Sequence, residues 1–412
     1  MTDAITSVAA LAWWRDDATM HRFIADLVAS ELAAMRRPVD ISTGCWTGDT
    51  HLNEDLGVDS LELMGLASAL AEALHMHESG IEDYLLARRT LGDWCAIAQA
   101  SLEKFSARMT FRTSGSTGQP KSCMHTLHAL WQEVQEVAPL ISNCSRLFTA
   151  VPSHHIYGFL FTILLPQALG LDSATVADLR QSSPARLARD LREGDVIVGH
   201  PEFWRMALRV LPAFPATVTG ISSTAALPLE IDAGLRTAGL SKLLQIYGSS
   251  ETAGVGWRAR NDEPYMLFSY WKHAAQDGNR LIREGEADAV DAPDLLAWHG
   301  ERYFQPAGRV DHAVQVGGVN VFPQRVRREL LSHPEVAEVA VRLMRPDEGN
   351  RLKAFVVPRD PGADIARLAQ ELAVWARQRL GTAEQPRSFS FGDSLPMDQK
   401  GKQADWMTAA PL

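Results

Sequence analysis

The sequence has little cysteine, no long apolar run and no lysine in its first 100 residues. Its four cysteines are scattered without a CxxC pair, which argues against a disulfide framework or a zinc site and fits a reducing cytoplasm. No stretch approaches the roughly 18 apolar residues that a membrane span needs. The N-terminus lacks a basic start followed by an apolar core, so no secretory signal is expected. We therefore expect a cytoplasmic globular protein without a membrane partner.

The net charge of -10 lies entirely in the first quarter of the 412-residue chain. Residues 1–100 hold 16 Asp and Glu against 6 Arg, and the remainder is balanced. This asymmetry indicates a separate acidic module. The chain offers no basic footprint, so a nucleic-acid partner is excluded.

Residues 113–121 (TSGSTGQPK) are rich in glycine and hydroxyl groups and end in a lysine. The glycines allow the backbone N–H groups to approach an anion closely, and Lys121 supplies a positive charge. The spacing is not the Walker pattern, which argues against an ordinary P-loop ATPase. A solvated Ser/Gly turn is the alternative. We interpret the segment as a phosphate-binding loop made of Thr113, Ser114, Gly115, Ser116, Thr117, Gly118 and Lys121.

The acidic N-terminal segment has the apolar spacing of several helices, at residues 20–36, 61–75 and 91–102. The stretch 56–63 (LGVDSLEL) places Ser60 at the start of the second of these helices, where an attached phosphodiester would gain from the helix dipole. This stretch resembles the attachment site of acyl and peptidyl carrier proteins. The resemblance implies a 4′-phosphopantetheine arm on Ser60 and an acidic docking face that includes Glu62 and Glu72. The alternative is that Ser60 only caps a helix.

Beyond residue 105, short β-rich runs alternate with helical ones, which is an α/β pattern. Six landmarks follow in order: 113–121, 152–158 (PSHHIYG), 247–252 (YGSSET), Asp294 with 308–311 (GRVD), 316–320 (VGGVN) and 395–402 (LPMDQKGK). This series resembles the adenylate-forming superfamily of acyl-CoA synthetases, luciferases and peptide-synthetase adenylation domains. The resemblance covers about residues 108–412.

The resemblance implies that a carboxylate attacks the α-phosphate of ATP and that a thiol then displaces AMP. Charge neutralisation and positioning carry most of such a reaction. The phosphate loop would hold the β- and γ-phosphates, Glu251 would bind Mg²⁺, and Ser250 would contact the α-phosphate. The nucleoside would contact Tyr247, Gly248, Asp294 and Arg309.

The end of the chain matches the family's mobile C-terminal domain. Lys402 corresponds to the lysine that bridges carboxylate and phosphate during adenylation, a role in which charge arrives by domain closure. Asp311 corresponds to the hinge, and Gly318 to the glycine that lines the pantetheine tunnel. The acid pocket is expected to contain His155, Tyr157, Ser223, Ala225 and Ser249. A metal site at His154 and His155 is disfavoured, because adjacent histidines are expected to point apart and no third ligand is spaced for zinc.

The chain departs from the family at the start of its core. The phosphate loop follows the carrier-like segment after only a few residues, so part of the usual core is missing and a dimer or partner could cover the exposed apolar surface. The 154–158 stretch resembles ligases of aryl-polyene pathways, which implies an aromatic, hydroxybenzoate-like acid. We therefore predict a carrier-like four-helix bundle at residues 1–105, a shortened α/β adenylate-forming core at 106–309 and a small α+β lid at 310–412.

The predicted function is an ATP-dependent acid–carrier-protein ligase that loads its own Ser60 arm. Its cofactors would be ATP, Mg²⁺ and 4′-phosphopantetheine. Its partners would be a small carboxylic acid, a phosphopantetheinyl transferase and fatty-acid or polyketide-type synthase enzymes. The alternatives are a ligase that uses free CoA and a non-catalytic carrier scaffold.

Overall fold

The structure is a computed structural model that describes residues 12–36, 41–113, 121–141, 144–180, 182, 184–274, 279–286, 289–309, 313–345, 348–397 and 404–408. They form two compact units, one ending at Ala307 and the other beginning at Gly308. No helix among these residues is both long and apolar enough to cross a membrane.

The larger unit begins with helices and a short antiparallel hairpin. The helices preceding the central sheet are α1 (Asp17–Met35), α2 (Ser60–Ala73), α3 (Tyr84–Ala87), α4 (Leu91–Lys104) and α5 (Leu127–Val137). Strands β1 (Arg108–Thr113) and β2 (Lys121–Thr126) form the hairpin between α4 and α5. Asp59 begins α2 with a capping box, in which its carboxylate accepts from Glu62 N–H and the Glu62 side chain binds Asp59 N–H.

The central sheet has nine strands among the described residues. In chain order they are β3 (Leu147–Thr149), β4 (Val176–Asp178), β5 (Val196–Gly199), β6 (Thr219–Ser222), β7 (Lys242–Ser249), β8 (Ala253–Arg258), β9 (Tyr265–Leu267), β13 (Asp294–His299) and β14 (Tyr303–Arg309). The spatial order is β13-β14-β9-β8-β7-β6-β5-β3-β4, and the stretch from β7 to β4 is parallel. The predicted α/β core is confirmed, because its short β-branched runs are buried strands.

Helices connect the parallel strands, and a second small sheet completes the unit. The connecting helices are α6 (Ile156–Phe159), α7 (Leu165–Ala168), α8 (Pro184–Asp190), α9 (Pro201–Val210) and α10 (Leu229–Thr237), with a π-helical turn at Leu160–Leu164. The small antiparallel sheet consists of β10 (Trp271–His273), β11 (Arg280–Arg283) and β12 (Ala289–Asp291).

The C-terminal unit is a small α+β fold, as predicted. It contains a hairpin of β15 (Val314–Val316) and β16 (Val319–Val321), and a sheet of β17 (Val336–Leu343), β18 (Leu352–Pro358) and β19 (Ser388–Phe391) with helices α11 (Pro323–Leu331) and α12 (Ile365–Arg379). The fully buried Lys353 Nζ donates to Glu348 Oε2 at 2.8 Å and to the Trp406 carbonyl at 2.7 Å. These bonds satisfy a charge that would otherwise be costly to bury, and they hold residues 404–408 against the unit.

The N-terminal helices do not form the predicted separate carrier bundle. Their apolar side chains share one hydrophobic core with the α/β residues, and Trp13 and Phe23 pack on Phe159 with ring centroids 5.1 and 6.0 Å apart. The predicted acidic docking face is neutralised within the chain, because Glu62 binds Arg36 and Glu72 binds Arg112 and Ser122. A sequence periodicity shows which helix face is buried, but not what buries it.

A buried ion pair fixes α1 to the loop after β3. Asp26 is 3% exposed, and its Oδ2 accepts from both the N–H and the hydroxyl of Ser153 at 2.7 Å. The other oxygen, Oδ1, accepts from Arg180 Nη2 at 2.6 Å. One carboxylate thus satisfies three donors across more than a hundred residues of chain.

A second buried carboxyl lies on α5. Glu133 is 0% exposed, and its Oε2 accepts from Gly254 N–H at 2.7 Å. Burial raises the pKa of Glu133 to about 7, although the Gly254 hydrogen bond and Arg283 act in the opposite direction. Between about pH 4.5 and pH 7, the Glu133 carboxyl is therefore protonated in the folded protein and ionised in the unfolded chain.

We expect Asp26→Ala to lower the free energy of unfolding by about 3 kcal/mol, because it leaves Arg180 and Ser153 without their partner inside the protein. Denaturant unfolding of the whole chain measures this change. Asp49→Ala removes an exposed carboxylate and should change stability by about 0.5 kcal/mol or less. An Asp26→Ala variant as stable as Asp49→Ala would show that α1 does not depend on this contact.

Glu133→Gln should change how stability depends on pH. The unfolded carboxyl ionises near pH 4.5 and the folded one near pH 7, so the wild-type protein loses stability as pH rises across this window. Glutamine does not titrate, so the variant should gain about 2 to 3 kcal/mol relative to wild type between pH 5 and pH 8. Glu136→Gln, on the same helix, controls for the substitution itself. Parallel stability curves for wild type and Glu133→Gln would contradict the expectation.

Candidate active site

The predicted site residues of the core gather where the parallel strands end. Strands β3, β5, β6 and β7 end at Thr149, Gly199, Ser222 and Ser249, and their parallel pairing brings these ends to one edge of the sheet. Ligands of open α/β sheets bind outside the carboxyl ends of the strands. The loops at this edge carry residues 150–158, 222–226 and 248–252.

A tight turn joins β7 to β8 and carries Ser250 and Glu251. The hydroxyl groups of Ser249 and Thr252 lie 3.0 Å apart and close the turn. A bulge between Tyr247 and Gly248 shifts the register just before the turn. A Cβ at position 248 would overlap the Ala253 carbonyl oxygen, so glycine permits this close approach.

Lys121 and Glu251, separated by 130 residues in sequence, form an ion pair. The distance from Lys121 Nζ to Glu251 Oε1 is 3.1 Å. Partial burial acts to raise the pKa of Glu251, but the Lys121 ammonium and nearby hydrogen-bond donors outweigh it, so the pKa is lowered. The carboxylate is therefore ionised and 28% exposed, beside the cation that ends the predicted phosphate loop.

The donor set around Glu251 suits Mg²⁺ bound together with a nucleotide. No group of three or more His, Cys, Asp or Glu among the described residues is arranged to hold a metal ion by itself. Mg²⁺ in phosphoryl-transfer sites usually takes one or two carboxylates and completes its shell with phosphate and water oxygens. One ionised carboxylate beside Lys121, the last residue of the predicted phosphate loop, fits this pattern.

Tyr247 and Asp294 also meet in the structure. The Tyr247 hydroxyl donates to Asp294 Oδ2 at 2.6 Å, and Asp294 begins β13. The Tyr247 ring packs against Phe304 with ring centroids 5.2 Å apart. The residues predicted to contact adenine and ribose are therefore neighbours, and Tyr247 lies on β7, four residues before Glu251.

The predicted acid-pocket residues lie along the same edge of the sheet, and they differ in burial and in hydrogen bonding. Tyr157 is buried, and its hydroxyl donates to the carbonyls of Gly199 at 2.9 Å and Ile221 at 3.1 Å, so it ties two strand ends together. Ser223 donates to the Ile246 carbonyl at 2.9 Å. Ala225 is half-buried in the same loop, and Ser249 closes the turn described above.

The rings of His154 and His155 contact each other instead of pointing apart, with centroids 4.1 Å apart and planes tilted by 41°, which corrects the expectation from sequence. Desolvation by the surrounding protein atoms lowers the pKa of both histidines, so both rings are neutral at physiological pH. The His155 side chain is nonetheless reached by solvent, as expected of a residue lining a cleft. The His154 ring nitrogens have no hydrogen-bond partner among the described residues.

Several predicted residues lie outside the described part of the chain. Ser114, Gly115, Ser116, Thr117, Gly118, Asp311 and Lys402 belong to this group, and the side chains of Thr113 and Arg309 are also not described. Gly318 lies in the C-terminal unit, in the two-residue turn between β15 and β16. It has φ +81°, next to Gly317 at φ +57°, a pair that suits a tight hairpin turn.

Sequence reasoning missed three polar side chains that bind the backbone of the β7–β8 turn and the start of β8, namely His125, Glu133 and Arg283. Glu133 had a detectable signal, because it lies on the apolar face of α5 with Leu130, Val134 and Val137. His125 and Arg283 had none, because their partners are distant in sequence.

Comparison with known proteins identifies the family of this chain. The sequence profile of the AMP-binding enzyme family matches residues 89–269, and that of the AMP-binding enzyme C-terminal domain matches residues 328–402. A 4-coumarate–CoA ligase of Halorhodospira halophila is 39% identical over 387 residues, which covers 92% of this chain and 97% of the relative. The 4-coumarate–CoA ligase of Rhodobacter capsulatus is 35% identical over 398 residues and is covered completely.

Solved structures share the fold. The o-succinylbenzoate CoA synthetase of Bacillus subtilis superimposes with a TM-score of 0.60 at 17% identity, covering 92% of this chain and 91% of that chain. An amide bond synthetase of Marinactinospora thermotolerans gives a TM-score of 0.59 at 17% identity, covering 93% and 92%.

These relatives overturn the carrier-protein interpretation. Because 92% of the chain aligns with a CoA ligase, most of residues 1–105 belong to the ligase and do not form an appended acceptor. The phosphopantetheine arm on Ser60 and the predicted transferase and synthase partners lose their support. Ser60 is an exposed first residue of α2, behind the Asp59 cap. The chain belongs to the AMP-binding enzyme family, and it is an ATP-dependent, AMP-forming acid–thiol ligase.

Proposed function

We propose that this enzyme activates a hydroxycinnamate-type acid, such as 4-coumarate, and transfers the acyl group to free CoA. The observation that carries the proposal is the near full-length alignment with three relatives that are named 4-coumarate–CoA ligase. Free CoA also fits the N-terminal helices, because they are packed into the core and their acidic groups are paired internally.

The reaction would proceed in two steps on the same site. The substrate carboxylate attacks the α-phosphorus of ATP, and pyrophosphate leaves with an acyl adenylate remaining. The CoA thiol then attacks the acyl carbon, the carbon–oxygen bond to AMP breaks, and the thiol proton passes to solvent. Both steps build up negative charge, which is stabilised best by groups held in place beforehand.

We assign the residue roles from the sequence motifs to which these residues belong. Lys121 would hold the terminal phosphates, and Glu251 would bind the Mg²⁺ that accompanies them and neutralises their charge. Tyr247 and Asp294 would bind the nucleoside, and Ser250 would contact the α-phosphate. Lys402 would complete the adenylation site, with Arg309 assisting at the nucleotide, Asp311 as the hinge and Gly318 lining the thiol path.

An aromatic acid fits the small side chains at the sheet edge. The loop 222–226 contains only serine, threonine and alanine, and Gly248 and Ser249 follow on the neighbouring strand. Small residues leave a slot for a planar ring, and His155 is accessible at the cleft. The names of the relatives favour a hydroxycinnamate over the hydroxybenzoate that the sequence suggested.

Incubation with ATP, Mg²⁺, CoA and 4-coumarate should yield the acyl-CoA and AMP, as measured by liquid chromatography with mass spectrometry. 4-Hydroxybenzoate, cinnamate and acetate serve as comparison acids. Ser60→Ala should form acyl-CoA at the wild-type rate, because Ser60 contributes only an exposed helix end. Loss of product in Ser60→Ala, together with a phosphopantetheine mass on the wild-type protein, would return the acceptor role to Ser60.

Lys121→Met should slow adenylation by about 10²-fold, because a positive charge aimed at the developing phosphate charge is removed. Acid-dependent exchange of pyrophosphate into ATP measures this step without CoA. Lys104→Met removes an exposed lysine at the end of α4 and should leave exchange unchanged. Equal exchange rates in the two variants would rule out a catalytic role for Lys121.

A further inference from the structure

The backbone of the β7–β8 turn and of the start of β8 is bound at alternate residues by three side chains from different elements. His125 Nε2 lies 2.7 Å from the Ser250 carbonyl oxygen. Arg283 Nη2 lies 3.4 Å from the Thr252 carbonyl oxygen, and Glu133 Oε2 accepts from Gly254 N–H at 2.7 Å. These contacts flank Glu251 on both sides in sequence.

His125 acts on this turn as a donor. A carbonyl oxygen only accepts, so the proton of the neutral ring must lie on Nε2. Burial lowers the pKa of His125, although the bond to the Ser250 carbonyl opposes the shift. The ring is therefore neutral at physiological pH, with a single fixed tautomer.

Arg283 binds the last residue of the turn, Thr252, and Glu133 binds Gly254 at the start of β8; both side chains lie inside the core. Arg283 is 4% exposed, and its Nη1 donates at 3.1 Å to both the Ala129 carbonyl and Gln132 Oε1. Its guanidinium also lies over the rings of Tyr270 and Trp271, 4.4 and 4.6 Å from their centroids. A Cβ at position 254 would overlap the Glu133 carboxyl group, so Gly254 makes this contact available.

Such buried groups could serve stability alone, but their shared target argues for more. A stabilising network gains nothing from converging on one short turn, and fully buried arginine and glutamate are costly to retain. The side chain between the anchored carbonyls is Glu251, which reaches Lys121. Residues that orient a metal-binding carboxylate through its backbone control metal affinity without touching the metal.

We propose that His125, Glu133 and Arg283 are positioning residues that fix Ser250 and Glu251 for MgATP. This inference rests on the proposed function of Glu251 as the Mg²⁺ ligand. Loss of one anchor lets the turn relax, so that the Glu251 carboxylate spends less time where Mg²⁺ and the phosphates need it. The loss of an anchor should therefore lower the apparent affinity for Mg²⁺, in addition to any loss of stability.

The test compares variants that remove an anchor with variants that keep its hydrogen-bonding atom. His125→Phe and Glu133→Leu remove the contacts while keeping similar volume, and His125→Gln and Glu133→Gln retain a donor and an acceptor, respectively. His128→Phe is the control for an exposed histidine. Glu136→Leu is the control for a carboxylate on the same helix that binds the Ser269 backbone instead.

The readouts are the Mg²⁺ concentration dependence of pyrophosphate exchange and calorimetric binding of α,β-methylene-ATP with and without Mg²⁺. His125→Phe and Glu133→Leu should weaken the apparent Mg²⁺ constant about tenfold or more, and the glutamine variants should recover most of it. The two controls should match wild type. Variants with lower melting temperatures but an unchanged Mg²⁺ constant would overturn the proposal.

Arg283→Lys extends the test if the Phe and Leu variants fail to fold, because it keeps the charge but loses the reach to the Thr252 carbonyl. Its Mg²⁺ constant then decides the proposal by the same criterion. The calorimetric measurement needs no acid substrate. A wild-type protein that binds the nucleotide analogue but activates no acid would therefore end the proposed function while leaving the positioning role open to the binding data.

Discussion

Parallel pairing of strands β3, β5, β6 and β7 is the constraint on which the rest of this enzyme depends. Parallel strands need long crossovers, and these crossovers return each strand end to the same edge. The loops that carry His155, Ser223 and Glu251 therefore converge, although they are separated by up to about a hundred residues. Tyr157 reinforces this edge by bonding the carbonyls at the ends of two strands.

The N-terminal helices take part in this arrangement. Asp26 on α1 binds Ser153, directly before the two adjacent histidines, and also binds Arg180 after β4. Helix α1 therefore supports the loop after β3 and the segment that follows β4. Trp13 and Phe23 pack on Phe159. The N-terminal helices therefore cover the hydrophobic interior of the α/β core, although the predicted phosphate loop comes early in the chain.

Sequence reasoning succeeded for features that depend on neighbouring residues, such as strands and helices. It failed for features that depend on packing between distant segments. The strands near residues 147, 196 and 243 and the helices near 127 and 229 could be read from apolar spacing, because each buries one face. The carrier-like reading of residues 56–63 failed because a capped helix after a Leu-Gly turn has the same local pattern in any protein. Glu62 and Glu72 looked like a docking face only because Arg36 and Arg112 could not be placed beside them.

The sequence alone indicated the family, and it predicted the site residues: a phosphate loop ending at Lys121, and later Tyr247, Glu251 and Asp294. These signals persist because each depends on side-chain chemistry within a few residues. Only the tertiary structure decided that Lys121 meets Glu251, that Tyr247 meets Asp294, and that the described N-terminal helices share the core. Those outcomes depend on contacts between distant segments, which packing selects and which no local pattern records.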